Sequence, residues 1–147
     1  MKNFCIRTLP ATDADQIHEI ELAAHQHPWS KSLIDQCFTK NHLILGAYDG
    51  EQLLGYLILS YVMDEATLLN LCVSPTCRRQ GIAKKLMQTL PELMQKHDLQ
   101  ICFLEVRASN HAAINLYQQF LFQETGFRKN YYPCDDGSRE DAVLMQR

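Results

Sequence analysis

The sequence predicts an α/β domain whose mixed, mostly antiparallel sheet is flanked by helices. Apolar runs on both sides of Asp49-Gly50 indicate an antiparallel hairpin. A third strand, ending at Val73, is followed by an amphipathic helix and then by a buried strand from Ile101 to Val106. This order is typical of a parallel strand–helix–strand crossover. A crossover combined with hairpins makes the sheet mixed.

The N-terminal part of the chain predicts one strand and two helices. Residues 1–7 have the pattern of an edge strand, and Thr12 and Asp13 are candidate N-caps of the first helix. Ser30 is the candidate N-cap of the second. Trp29 lies in the connection between the helices, and we interpret it as a lid on the core in preference to a direct substrate contact.

The remaining elements follow from the change of period after His42. The predicted strands are 43–48, 52–59, 66–73, 101–106, 122–132 and 139–145. The helix that begins at Gly81 contains Pro91, which removes a backbone hydrogen bond and is expected to kink or split the helix. Asn110 is the candidate N-cap of the last helix.

Length and composition indicate one globular domain spanning residues 1–147. Hydrophobic residues make up 46% and charged residues 21% of the chain, which is ordinary for a soluble protein. No apolar run approaches the length of a membrane span, and no secretory signal pattern is present, so we expect a cytoplasmic protein. The net charge of −3 argues against direct binding of nucleic acid. We also expect a monomer.

The cysteines and histidines do not predict a metal site. The chain has six of each, but it contains no C-x-x-C pair, and most of the cysteines lie in apolar runs. Free buried thiols are therefore the favoured interpretation. The histidines show no ligand spacing, and we predict no metal.

The turn after Val73 is a candidate phosphate-binding site. It leads through Gly81 into a helix, whose first turn carries unpaired N–H groups and partial positive charge. The basic residues around it are Arg78, Arg79, Lys84 and Lys85. The Walker pattern and the dinucleotide pattern G-x-G-x-x-G are both absent. An ordinary strand–turn–helix corner remains the alternative.

Glu105 and Tyr117 are the candidate catalytic residues. Glu105 lies in a buried strand, where burial raises the pKa of a carboxyl group toward the range of a general base. The alternative role for Glu105 is an ion pair with Arg107 on the same strand face. Tyr117 has a core role as its alternative, and Asn110 needs no role beyond capping.

These motifs together resemble the GNAT superfamily of N-acetyltransferases. Arg78-x-x-Gly81-x-Ala83 is similar to the pyrophosphate loop of that superfamily. Within it, the chain resembles the ribosomal-protein-alanine N-acetyltransferase (RimI) family over nearly its whole length. The blocks that carry this resemblance are 27–30, 64–70, 104–117, 128–133 and 139–142.

The resemblance implies the GNAT (acyl-CoA N-acyltransferase) fold and acetyl-CoA as the co-substrate. It implies Glu105 as the general base, acting directly or through water, and Tyr117 as the acid for the CoA thiolate. The implied cofactor-binding residues are Leu71, Cys72, Val73, Arg79, Gln80, Gly81, Ile82, Ala83, Lys84 and Asn110. The implied acceptor is the N-terminal alanine of a small-subunit ribosomal protein of the S18 type.

Other acceptors and other functions stay open at this point. A GNAT enzyme acting on another protein N-terminus, on lysine or on a small amine would share the cofactor residues. A catalytically silent acetyl-CoA-binding module is disfavoured by the presence of both Glu105 and Tyr117. The acidic pairs Asp64-Glu65 and Glu140-Asp141, if they face the acceptor, would favour an arginine-rich peptide.

Two positions depart from the family pattern. Leu121 stands where the family has glycine before the phenylalanine that follows the tyrosine helix, and Pro91 is unusual within its helix. We expect Leu121 to alter the C-terminus of the helix without changing the chemistry.

Overall fold

A computed structural model describes residues 3–147 and contains a seven-stranded sheet. The strands are β1 (Cys5–Thr8), β2 (His42–Asp49), β3 (Gln52–Val62), β4 (Glu65–Val73), β5 (Ile101–Arg107), β6 (Gln123–Pro133) and β7 (Arg139–Gln146). Their order across the sheet is β1-β2-β3-β4-β5-β7-β6. The β4–β5 pair is parallel and the other neighbouring pairs are antiparallel, which confirms the predicted mixed sheet. β1 is the predicted edge strand; residues 1 and 2 lie outside the described part.

Five helices connect the strands within residues 3–147. They are α1 (Ala14–Ala24), α2 (Lys31–Gln36), α3 (Ile82–Gln88), α4 (Leu90–Lys96) and α5 (His111–Gln119), with short 3₁₀ turns at Ala11–Asp13 and Pro75–Cys77. The break between α3 and α4 falls at Thr89, and Pro91 lies in the first turn of α4. Proline is tolerated there because N–H groups of the first turn have no intrahelical partner. The predicted split of this helix is confirmed.

Asp13, Ser30 and Asn110 occupy predicted N-cap positions, but only Ser30 and Asn110 make a side-chain capping bond. Ser30 Oγ accepts a hydrogen bond (3.1 Å) from the backbone N–H of the third residue after it, and Asn110 Oδ1 accepts the equivalent bond at 3.2 Å. Thr12 lies within a 3₁₀ turn, and Asp13 occupies the N-cap position of α1 without a side-chain capping bond. The Asp13 carboxylate instead accepts a hydrogen bond of 2.7 Å from the Tyr48 hydroxyl, a partner distant in sequence.

The sheet has a core on each face. Because side chains alternate along a strand, Leu57 and Leu59 of β3 pack on one face while Tyr56 and Ile58 pack on the other. Helices α3, α4 and α5 cover the first face, and α1 and α2 cover the second. Both faces of the central strands are therefore shielded.

The site is positioned by a divergence in the middle of the sheet. β4 and β5 pair only from Glu65–Thr67 to Ile101–Phe103. Beyond these residues both strands continue, to Val73 and Arg107, without pairing to each other. Each strand keeps its other neighbour, so one backbone edge of each faces a wedge-shaped gap. Unpaired strand edges present N–H and C=O groups that an extended ligand can pair with.

Candidate active site

A cavity of about 570 Å³ lies beside this gap, between β4, α3 and α5. The predicted cofactor-binding residues that line it are Leu71, Cys72, Val73, Arg79, Gly81, Ile82, Ala83, Lys84 and Asn110. We name it the cofactor cavity. Sequence reasoning missed the apolar wall that α5 supplies through Ala112, Ala113 and Leu116. Gln80 is not part of the lining, and its Oε1 is buried without a hydrogen-bond partner among the described residues.

The basic turn at the mouth of this cavity has a left-handed backbone at two positions. Gly81 has a φ of 78° and Arg79 a φ of 63°. A Cβ on Gly81 would meet no atom within 4 Å, so the φ angle and not crowding favours glycine there. Arg79 adopts the same region without being glycine, which costs about 1–2 kcal/mol. Such strain is characteristic of ligand-binding loops.

A second cavity, of about 350 Å³, opens on the other side of the gap. It is bounded by Glu105, Trp29 and Tyr132, among other residues, and we name it the acceptor cavity. Trp29 also packs against the core beneath α1, so it closes the core and faces the cavity as well. Four residues line both cavities: they are His25, Leu71, Asn110 and Tyr117. The two cavities therefore meet beside Tyr117.

Tyr117 is fixed by the C-terminal end of α5. The N–H of Leu121 donates to the Gln118 carbonyl, and the N–H of Phe122 donates to the Tyr117 carbonyl, which is the Schellman pattern of a helix end. The Phe122 ring packs edge-on against the Tyr117 ring, with centroids 5.9 Å apart. Burial raises the pKa of the Tyr117 phenol well above its usual value. Tyr117 therefore stays protonated at neutral pH.

Leu121 lies just after the C-terminal end of α5, where we expected an altered helix end. It occupies the residue after the helix cap with a φ of 72°, where glycine normally stands. The leucine side chain is exposed, so nothing buried compensates for the left-handed backbone. The helix end keeps its hydrogen bonds in spite of this substitution.

Glu105 lies at the acceptor cavity, but its surroundings differ from those expected. Its side chain is 30% exposed, and its Oε1 accepts a hydrogen bond of 2.9 Å from Arg128 Nε. Arg107 instead pairs with Glu140, at 2.9 Å. The alternative role of Glu105, an ion pair with Arg107, is not observed. The β6–β7 hairpin supplies each with a closer partner of opposite charge.

Glu105 also affects the pKa of a neighbouring residue, Tyr132. Burial, together with the Glu105 carboxylate, raises the pKa of Tyr132 to about 12. The Tyr132 ring lies beneath the Arg107 guanidinium, whose central carbon is 4.7 Å from the ring centroid. Both Tyr132 and Arg107 line the acceptor cavity.

Sequence reasoning missed Glu21, the buried carboxylate of the acceptor side. Its side chain is 1% exposed, and its Oε2 accepts hydrogen bonds from the Tyr56 hydroxyl and from Asn70 Nδ2 (2.8 Å). Its Oε1 accepts a bond of 3.0 Å from the Trp29 N–H. One signal was available, because position 21 falls on the apolar stripe of α1 with Ile17 and Ala24.

The two acidic pairs are not placed to bind an arginine-rich acceptor peptide. Asp64 and Glu65 are at the start of β4, at the opposite end of the strand from the cavities, and line neither of them. Glu140 is already paired with Arg107, and the Asp141 carboxylate accepts a hydrogen bond from the Asn130 N–H. The condition that Asp64-Glu65 faces the acceptor is therefore not met.

Within residues 3–147, the helices are too short and too polar to reach across a lipid bilayer.

Comparison with known proteins gives a consistent family assignment. The model of the acetyltransferase (GNAT) family matches residues 14–122. The [ribosomal protein bS18]-alanine N-acetyltransferase of Haemophilus ducreyi is 41% identical over 140 residues, which cover 95% of this chain and 97% of that protein. The crystal structure of the ribosomal-protein-S18-alanine N-acetyltransferase from Escherichia coli superposes with a TM-score of 0.93 at 38% identity, covering 98% of this chain and 92% of that one.

A more distant structure shares the fold. Arabidopsis thaliana NAA60, solved in complex with acetyl-CoA, is 20% identical and superposes with a TM-score of 0.87, covering 99% of this chain and 98% of that one. The predicted GNAT fold is confirmed, and the chain belongs to the GNAT family of acetyltransferases.

Proposed function

We propose that this protein transfers the acetyl group of acetyl-CoA to the α-amine of the N-terminal alanine of ribosomal protein bS18. The observation that carries the proposal is the pair of cavities that meet beside Tyr117 in the gap between β4 and β5. Relatives about 40% identical over nearly the whole chain carry the name of this activity. The reaction takes place on a single chain in the cytoplasm and uses only side-chain and backbone groups of the enzyme.

Acetyl-CoA occupies the cofactor cavity in this proposal. The turn from Arg79 to Lys84 holds the pyrophosphate, and Asn110 contacts the pantetheine arm, which lies along the open edge of Leu71–Val73. The Ser74 N–H donates to the Leu54 carbonyl on β3. Since successive residues of a strand direct their N–H groups to opposite edges, the Val73 N–H faces the gap. It polarises the thioester carbonyl and stabilises the oxyanion that forms.

Glu105 and Tyr117 carry the proton transfers. Glu105 takes a proton from the acceptor ammonium, directly or through water, and the free amine attacks the thioester carbonyl. When the tetrahedral intermediate collapses, the carbon–sulfur bond breaks and Tyr117 donates its proton to the CoA thiolate. Support for these roles comes from the placement of both residues on the acceptor cavity. Arg128 holds one oxygen of Glu105 and leaves the other available.

An α-amine is a chemically easier acceptor than lysine. Its free pKa is about 7.7–8.0 against about 10.4 for lysine, so deprotonation at neutral pH costs roughly 3.4 kcal/mol less. The N-terminal amine therefore suits this site better than a lysine side chain.

Mass spectrometry of acceptor peptides incubated with enzyme and acetyl-CoA tests the proposal. A peptide that begins with the alanine of bS18 should be acetylated at its α-amine. The same peptide with a blocked N-terminus and an internal lysine should react far more slowly. Comparable rates would contradict the N-terminal assignment and favour a broader amine acetyltransferase.

Calorimetry tests the cofactor separately. Acetyl-CoA should bind more tightly than ATP because the cofactor cavity offers an open strand edge to the pantetheine arm in addition to the phosphate turn. Equal affinities would contradict this assignment. Gly81→Val should weaken acetyl-CoA binding, since the added side chain projects into the open space at the turn and favours a different φ.

A further inference from the structure

A carboxylate, an imidazole and a thiol meet at the junction of the two cavities. His25 Nε2 lies 3.7 Å from Glu21 Oε2 and 3.5 Å from Cys72 Sγ. One ligand atom from each residue lies within 4.8 Å of the other two. The sequence predicted no metal site because Cys72 is far along the chain from Glu21 and His25. The fold brings β4 against the end of α1 and so assembles the three side chains.

Two of the three ligand separations are close to those of a tetrahedral zinc site, and the third is within 4.8 Å. Zinc binds nitrogen and oxygen at about 2.0–2.2 Å and sulfur at about 2.3 Å, so neighbouring ligand atoms lie about 3.3–3.6 Å apart. The observed separations of 3.5 and 3.7 Å need only a small adjustment. His25 is half-exposed at the end of α1, so its ring is free to make that adjustment. A thiolate, an imidazole and a carboxylate also form a donor set that zinc prefers.

The charge balance and the surrounding hydrogen bonds support a cation at this position. One thiolate and one carboxylate neutralise a divalent cation, so the filled site would carry no net charge in its buried setting. Of the roughly four acceptor positions of the Glu21 carboxylate, Tyr56 and Asn70 use the two on Oε2, and Trp29 uses one on Oε1. The position left for a metal is therefore on Oε1, and a metal bound there keeps all three hydrogen bonds. The other hydrogen bonds orient the carboxylate, as partners of metal ligands commonly do.

We propose that Glu21, His25 and Cys72 bind zinc or another thiophilic divalent cation, and that the bound cation blocks acetyl transfer. On binding, a metal–sulfur bond forms, the S–H bond of Cys72 breaks and its proton leaves to water. His25 and Cys72 line the cofactor cavity, and His25 also lines the acceptor cavity. The cation therefore occupies the passage between thioester and amine. The blocking step rests on the proposed function, whereas the binding step does not.

Titration of the metal-free protein with Co²⁺ and Zn²⁺ tests the binding step. One ion per chain should bind, and Co²⁺ should produce a thiolate-to-metal charge-transfer absorption. Cys72→Ser should abolish this absorption, whereas Cys5→Ser, which removes an exposed thiol on β1, should retain it. His25→Ala should weaken Zn²⁺ binding by at least about 100-fold, because even partners of metal ligands contribute about 10–100-fold. His25 is half-exposed, so this variant keeps the test available if Cys72→Ser does not fold.

Activity measured over the same Zn²⁺ concentrations tests the blocking step. Acetyl transfer by the wild-type protein should fall as the site fills, and the fall should be much smaller in His25→Ala relative to its own metal-free rate. Absence of stoichiometric binding, or an absorption unchanged in Cys72→Ser and an affinity unchanged in His25→Ala, would overturn the metal site. Bound Zn²⁺ with unchanged turnover would overturn the block. An intact Co²⁺ absorption in a protein that never transfers acetyl would support the site and count against the proposed function alone.

Discussion

The two sides of the cleft are built in different ways. The cofactor side consists of residues 71–84 and 110–117, two continuous segments whose backbone does most of the work: the open edge of β4, a turn with positive φ angles, and the start of a helix. The acceptor side combines side chains from α1, the α1–α2 connection, β5 and the β6–β7 hairpin. Backbone-based recognition depends on local sequence, whereas a network of side chains depends on the assembled fold.

The acceptor side is held together by paired charges and a buried carboxylate. Glu21 joins α1 to β3, β4 and the α1–α2 connection, and two ion pairs attach β5 to the hairpin. Few comparable polar links cross the cofactor side. This contrast predicts that single side-chain changes disrupt the acceptor side, while backbone changes disrupt the cofactor side.

Glu105→Gln should have the largest effect and should separate chemistry from cofactor binding. Loss of a general base lowers kcat by about 10²–10⁴-fold at neutral pH. Calorimetry should show little change in acetyl-CoA affinity, because Glu105 does not line the cofactor cavity. The exposed Glu124 on β6 provides a control, and Glu124→Gln should retain wild-type kcat. Wild-type kcat/KM for Glu105→Gln across the pH range would remove Glu105 as the base.

Glu21→Ala should have the next largest effect, on stability and on the acceptor. Three donors lose their acceptor, and each buried unsatisfied group costs about 1–3 kcal/mol, so we expect a loss of at least about 2 kcal/mol in the free energy of unfolding. The KM for the acceptor should rise more than the KM for acetyl-CoA. Asn70 and Trp29 line the acceptor cavity but not the cofactor cavity. Urea denaturation and initial-rate kinetics measure both quantities.

Glu19→Ala is the matched control for that change. Glu19 is an exposed residue of the same helix, and surface substitutions usually alter stability by less than about 0.5 kcal/mol. If the two alanine variants unfolded at the same urea concentration, the hydrogen bonds of Glu21 would not stabilise the acceptor side.

Gly55→Ala tests the cofactor side through the backbone. The added Cβ would lie 2.9 Å from the Cys72 carbonyl oxygen and 3.1 Å from Ile82 Cγ2, so β4 and the start of α3 must shift. Overpacking of this kind costs about 1–3 kcal/mol. Since Cys72 and Ile82 line the cofactor cavity, acetyl-CoA affinity should fall as well.

Gly126→Ala is the control for Gly55→Ala, because it adds the same methyl group at a position where there is room for it. Its Cβ would meet only Leu144 Cδ1, at an ordinary 3.8 Å, so stability and acetyl-CoA affinity should stay near wild type. Equal losses in the two variants would contradict the argument from the close approach at Gly55.

The same contrast determines what the sequence could predict. The order of strands and helices followed from apolar periodicity, and the turn at Gly81 followed from a local motif. The partners of Glu105 and Arg107 could not be predicted, because they depend on the register of the β6–β7 hairpin against β5. The meeting of Glu21 with Cys72 likewise required the packing of α1 on β4. Charges spaced by two residues on one strand face suggested an alternative pair, but the hairpin offers each of them another partner.

Leu121→Gly should have the smallest effect, and it tests the end of α5 that serves both sides through Tyr117. Leu121 has a φ of 72°, and a left-handed backbone costs a residue with a side chain about 1–2 kcal/mol. Glycine removes this strain but loses about 0.5–1 kcal/mol of chain entropy on folding. The net expectation is a protein more stable by about 0.5–1 kcal/mol, read from the midpoint of urea denaturation with an unchanged slope. Leu121→Ala keeps the strained φ and should unfold close to the wild-type midpoint. A gain for alanine equal to that for glycine would point to the exposed leucine side chain, and not to the backbone, as the source of the instability.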